Sequence, residues 1–228
     1  FWFCRNAGLS LPLIALQYHE VKVILQHRAT TVFGATPTNN LWCDYIYLDT
    51  DERRRFAQVS HEYLIEQVQE QGLSTSATNE LNFNHPVKEL IWTAAGGIQG
   101  AAARTLLAVP AALGANVTYT LKLNGHERFA PRTFHYFSRS QVLQHHSGYG
   151  GLGAGAGPGD STDAINVYSF ALKPEEHQPS GTCNFSRIDN AQLITSAAAG
   201  FAGNAVIFAV NYNVLRIMSG MGGLAYSN

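Results

Sequence analysis

Hydrophobic and polar positions alternate most regularly near the C-terminal end of the chain. Between Ile165 and Leu172, Val167, Ser169 and Ala171 point one way and Tyr168, Phe170 and Leu172 the other. Between Ala205 and Met218, Val206, Phe208, Val210 and Tyr212 share a face. Val, Ile, Tyr and Phe suit a pleated, half-buried surface, so both runs predict strands. Pro174 and Pro179 are expected to stop the first, and Gly220, Gly222 and Gly223 the second. The same alternation predicts strands over Leu13 to Val23, Leu41 to Leu48 and Asn116 to Asn124. The last of these ends on Asn124-Gly125, a hairpin-turn pair.

One segment reads as a helix start. Asp49 or Thr50 can cap it, Asp51 and Glu52 suit its first turn, and Arg53 to Arg55 follow. A lone arginine triplet is shorter than the roughly five- to eight-residue tracts that mark nucleic-acid binding, so pairing on a short linker helix is expected. Residues Val59 to Gln71 are ambiguous. Phe56, Val59, Tyr63 and Val68 form a helical stripe that would carry the helix to about residue 70. Tyr63 with Ile65, and Leu64 with Val68, also satisfy a strand period. Loops are expected over 27–40, 94–115 and the glycine run 148–159, which lacks the Gly-Lys-Ser/Thr of a phosphate cradle.

Composition narrows the function classes. The formal net charge of the 228 residues is −1, which gives no basic excess for direct nucleic-acid binding. Charged residues are 14% of the chain, below the ~25% of ordinary soluble domains, as suits a subunit that hides surface in partners. Cys4, Cys43 and Cys183 have no metal-ligand spacing and read as reduced thiols of a protein made in the cytosol. No signal peptide is visible, and no apolar run approaches the ~18 residues that span a membrane. The chain opens Phe1-Trp2-Phe3 without a methionine, which predicts a piece of a longer protein that keeps its natural C-terminus.

No constellation predicts catalysis. His145 and His146 are adjacent, so on a strand their rings would diverge, and no His-x-His pair occurs. Glu175, Glu176 and His177 are neighbours in a loop between Pro174 and Pro179. Two glycosidase carboxyls would instead face each other across a cleft. These carboxylates are expected to bond locally or across a subunit contact. Cys183 has only His177 as a candidate base and reads as a small core residue. Asn116-Val117-Thr118 and Asn184-Phe185-Ser186 match the glycosylation sequon and, without a secretory signal, read as chance matches, with surface sugar left open. The expectation is a non-enzyme with no catalytic, cofactor-binding or metal residues and no cofactor.

YSFALKPEEHQPSGTCNFSRIDN, from Tyr168 to Asn190, resembles the signature segment of the major capsid proteins of nucleocytoplasmic large double-stranded DNA viruses. NYNVLRIMSGMGGLAYSN, from Asn211 to Asn228, is similar to that family's C-terminus. FWFCRNAGLSLPLIALQYHEVKV, LDTDERRRFAQ, HEYLIEQVQ, ELNFNHPVKELIWT and LKLNGHERF continue the resemblance, which leaves out about 94–115 and 148–163. It decides Val59 to Gln71 in favour of a strand and implies strands around Pro86.

The implied fold is all-β, an antiparallel jelly-roll β-sandwich. It would be the second roll of a double jelly roll, preceded by the closing strands of the first. On that reading residues 1–50 close the first roll, 51–60 connect, and 61–228 form the second. The implied role is a structural capsid subunit whose homotrimers form pseudo-hexagonal capsomers of an icosahedral virion, assembled in the host cytoplasm. Neighbouring capsomers and minor capsid (cement) proteins would be its partners. Contact with an inner viral membrane is possible on this reading, but not through a transmembrane segment. The alternative from the residues is a β-sandwich carbohydrate-binding module or glycoside-processing enzyme, since jelly rolls host both.

Overall fold

The computed structural model describes residues 1–25, 40–93, 117–148, 165–197, 201 and 205–226. The expected loops at 27–39, 94–115 and 149–159, and the sequon residue Asn116, lie outside the described residues. The chain divides into two units, one of residues 66–212 and one of residues 1–65 with 213–228.

The strands in chain order are β1 His61–Gly72, β2 Thr78–Glu80, β3 Pro86–Thr93, β4 Thr118–Leu123, β5 His126–Glu127 and β6 Arg132–Thr133. They continue with β7 Ile165–Ser169, β8 Cys183–Asn184, β9 Ala191–Thr195, β10 Val206–Met218 and β11 Met221–Leu224. The α-helices among the described residues are α1 Thr50–Gln58 and α2 Gln141–His145.

One sheet has the order β1-β10-β3-β7, with β8 on β3 and β11 on β10. The other has the order β2-β9-β4-β5, with β6 on β4. The registered pairs are antiparallel. Strands β1, β2, β3 and β4 alternate between the sheets, as do β7, β9 and β10. This shuttling between two antiparallel sheets makes the sandwich a jelly roll.

In the 66–212 unit, a core fills the space between the sheets. Val87, Leu90 and Trp92 come from β3, Tyr119 and Leu121 from β4, and Leu193 from β9. Ile207 and Ala209 of β10 join them, so the core takes the face of β10 opposite to Val206, Phe208 and Val210. Trp92 meets Tyr119 edge-on at 5.6 Å, and Phe137 lies 5.2 Å from Trp92 and 5.9 Å from Tyr119. Such offset contacts match ring edges to ring faces and add about 0.5–1.5 kcal/mol each beyond burial.

Local readings hold where they meet a partner strand. Asn124 and Gly125 take φ of 50° and 80°, the left-handed pair that turns β4 into β5. Pro86 sits at the first residue of β3, where its missing N–H costs no ladder bond. Helix α1 has Asp49 at the N-cap position, without a side-chain capping hydrogen bond, and ends at Gln58, before Val59, whose backbone is already extended. The helical stripe therefore stops there and β1 takes over. Pairing within a sheet outweighs the weak helix preference of Glu62, Glu66 and Gln67.

Other readings are corrected. Residues 13–23 and 41–48 hold no strand. A strand requires a ladder, whereas Ala15 N–H donates to Pro12 O and Leu16 N–H to Leu13 O, within the segment itself. Strand β7 ends at Ser169 rather than Leu172, because the N–H groups of Phe170 and Ala171 both turn to Lys88 O. Gly222 and Gly223 do not end the C-terminal strand pattern. Ser219 (φ 52°) and Gly220 (φ 82°) form a tight turn, after which Gly222 pairs with Ile217 and Gly223 with Arg216. The wide helical turn Tyr136–Ser140 and α2 were not expected, because their aromatic and polar residues show no clear period.

Candidate functional site

The register of β3 against β10 breaks at one place. Val210 pairs with Glu89 and Asn211 with Val87, which leaves Lys88 as an extra residue. This is a β-bulge, and it changes which side chains share a face. Val87, Leu90 and Trp92 all face the core. Lys88 and Glu89 consequently both go to the other side of the sheet, although strict alternation would separate them.

Each carries a loop partner. Lys88 Nζ is 2.9 Å from Glu66 Oε1, donates to Pro174 O at 2.6 Å, and lies 5.4 Å from the centre of the Tyr212 ring. Its side chain is only 2% exposed. A buried charge is tolerated when paired and hydrogen-bonded, as here. His177 Nδ1 stands 3.9 Å from the same Glu66 oxygen.

Glu89 holds the second arm. Its Oε2 is 3.2 Å from His146 Nε2, and His146 Nδ1 is 3.2 Å from Glu175 Oε1. Ser147 N–H donates to Glu175 Oε2 at 3.1 Å. Glu89 raises the His146 pKa above its ordinary 6.5 against the opposing effect of burial, and Glu175 adds to the rise. Hydrogen bonds from Ser147, then from His146, hold the Glu175 carboxyl below its ordinary 4.5.

The loop that these arms reach closes on itself. Lys173 N–H donates to Ser180 Oγ at 2.9 Å, and Lys173 Nζ meets Glu176 at 3.0 Å on the exposed side. Glu176 pairs locally with Lys173, as expected, whereas Glu175 is held by His146 and Ser147, 29 and 28 residues away in the chain, which corrects the expectation of local bonding. His145 and His146 do diverge, but from the end of α2 rather than from a strand. His145 Nδ1 is 3.0 Å from Leu172 O. Cys183 packs half-buried against the core, and burial raises its thiol pKa. His177 is turned to Glu66, not towards a role as base for Cys183. Among the described residues, no three His, Cys, Asp or Glu side chains converge as a metal site. No helix among them is long and apolar enough to cross a membrane.

A second feature belongs to the unit of residues 1–65 and 213–228. Residues 41–47 are exposed throughout, with Trp42 89% and Tyr47 92% exposed and Leu41, Tyr45 and Ile46 also exposed. Exposed aromatic surface of this extent marks an interaction face. The arginines of α1 are exposed, with Arg54 4.0 Å from Asp51.

Comparison with known proteins agrees with this architecture. Residues 52–223 match the sequence model of the large eukaryotic DNA virus major capsid protein family. Residues 1–49 match that of the major capsid protein N-terminus. The chain is 54% identical to the major capsid protein of Pyramimonas orientalis virus, over all of this chain and 60% of that protein. It is 41% identical to the major capsid protein of Paramecium bursaria Chlorella virus 1, over all of this chain and 65% of that protein. The chain thus spans less than two thirds of the length of these curated relatives. Its structure superposes on a chain of the PBCV-1 virus capsid with a TM-score of 0.70 at 37% identity, covering all of this chain and 69% of that one. The β-sandwich, the antiparallel shuttle between its sheets and the two sequence matches together place this chain in the family of large eukaryotic DNA virus major capsid proteins.

Proposed function

We propose that this chain is part of a structural capsid subunit, with no catalytic turnover, that acts by assembly in the virion. Three copies of the complete subunit associate, and the trimers tile as pseudo-hexagonal capsomers of an icosahedral shell. Neighbouring capsomers and minor capsid proteins are its contacts. Residues 1–50 close a first roll, 51–60 connect, and 61–228 form the second roll. The observation that carries this reading is the bare aromatic stretch 41–47, in a chain whose relatives are capsid proteins. Aromatic and aliphatic side chains exposed along a whole stretch call for covering partners, which a neighbouring roll or subunit supplies. The carbohydrate-binding alternative finds no support among these relatives. Sedimentation equilibrium of the purified protein tests the proposal. A trimer is expected, and a monomer at every concentration would overturn it.

A further inference from the structure

The imidazole of His146 stands between two carboxylates that belong to different parts of the fold. Glu89 lies on the bulge of β3 with its side chain 9% exposed, and Glu175 lies on the 172–180 loop with its side chain 45% exposed. Only the doubly protonated ring offers an N–H to both; a neutral imidazole has one N–H, and its other nitrogen turns a lone pair towards an anion. We propose that the Glu89–His146–Glu175 chain is a clamp that fastens the 172–180 loop to the sheet while His146 is charged and lets the Glu175 arm go when it is neutral.

The choice of arm follows from burial. Glu89 has little water to turn to, so the remaining proton stays on Nε2, 3.2 Å from its Oε2. Glu175 is close to half exposed and can be solvated instead. Ser147 N–H, which donates to Glu175 Oε2, loses its acceptor in the same step.

Lys88 and Glu66 pair with each other and hold Pro174 O, with His177 beside Glu66. Lys173 and Glu176 pair outside the loop, and the His145 ring is turned to Leu172 O. Release therefore loosens the Glu175 arm while Lys88 continues to hold Pro174.

The window follows from the directions of the two shifts. His146 is raised above 6.5, so its contribution is complete below 6.5 and is lost as pH rises through the raised value. Glu175 is lowered from 4.5, so its contribution is present above 4.5 and is lost as pH falls through the lowered value. The clamp is closed between them. It does not depend on how the subunit assembles.

Nuclear magnetic resonance on the full 228-residue chain tests this, following the His146 ring and the hydrogen-exchange protection of the Ser147 amide. Between about pH 6 and about pH 9, Ser147 protection should fall by about tenfold, with the His146 midpoint above 6.5 and an Nε2–H tautomer at the alkaline end. In Glu175→Gln, a change on the exposed side, Ser147 protection should become independent of pH and the His146 midpoint should drop. Ser147 protection that stays flat in the unmodified chain, a midpoint at or below 6.5, or an Nδ1–H tautomer would each overturn the clamp.

Discussion

Gly220 and Tyr18 approach so closely that a Cβ at residue 220 would lie 2.5 Å from Tyr18 Cδ2. The backbone is bonded there as well. Tyr18 N–H donates to Gly220 O at 2.9 Å, and Gly222 N–H donates to His19 Nδ1 at 3.3 Å. A Cβ at Gly222 would lie 3.0 Å from Leu16 Cδ2. Within its unit, the glycine-rich turn between β10 and β11 is therefore the seat of residues 16–19.

Gly220→Ala should destabilise this unit by about 1–2 kcal/mol, since residue 220 has φ +82° and the Tyr18 ring must also move. Gly223→Ala, with open space around it, should stay within about 0.5 kcal/mol. Urea titration of both variants checks the contrast. Equal midpoints would mean that residues 16–19 do not dock on the turn.

Gly181 and Gly125 make a second pair. Gly125 has φ +80° in open space, so an alanine there should cost about 1 kcal/mol for backbone conformation alone. Gly181 has φ +142°, and its added Cβ would sit 2.8 Å from Phe170 O and 3.3 Å from Ala171 Cα. Those are backbone atoms and cannot rotate away, so Gly181→Ala should cost about 3 kcal/mol or more. Thermal unfolding of the two variants gives the ranking, which reverses if the 170–181 contact is loose.

Lys88→Met should cost about 3–5 kcal/mol, because it leaves Glu66 without its cation and Pro174 O without a donor. Adding Glu66→Leu should recover part of that loss, since the uncompensated carboxylate goes with it. A double-mutant cycle by chemical denaturation measures the coupling. Strict additivity would show that the pair is not formed.

Alkylation separates the cysteines. Cys4 and Cys43 are exposed, whereas Cys183 is half-buried with its thiol pKa raised by burial. Iodoacetamide should label the first two faster, since the thiolate is the reacting form. Mass spectrometry of timed samples reads the order, and Cys183 labelling first would contradict its packing.

Much of the jelly roll is written in local sequence. The alternations in β4, β7 and β10, the Asn124-Gly125 turn and the Asp49 helix start need only nearest neighbours and side-chain period. Residues 61–72 were not decidable that way, because Tyr63 and Val68 fall on a helical stripe while Tyr63 with Ile65, and Leu64 with Val68, also satisfy a strand period. The resemblance favoured a strand, and membership of the sheet beside β10 makes it one. Gly220 does stop β10, but Gly222 and Gly223 were misread as an end because glycine breaks a lone strand yet is tolerated in the returning strand of a hairpin.

The ionic cluster was least legible of all. Alternation puts Lys88 and Glu89 on opposite faces, and it is the bulge against Val210 and Asn211 that brings them to one. A bulge is a property of two strands in register, so no pattern within β3 announces it. Glu66, His146 and Pro174 come from three separate stretches of the chain, and their meeting with Lys88 and Glu89 was decided by packing. The sequence determined which segments could be strands and where they could turn. The tertiary structure decided which side chains became neighbours, because pairing register and burial act between segments that the chain itself keeps far apart.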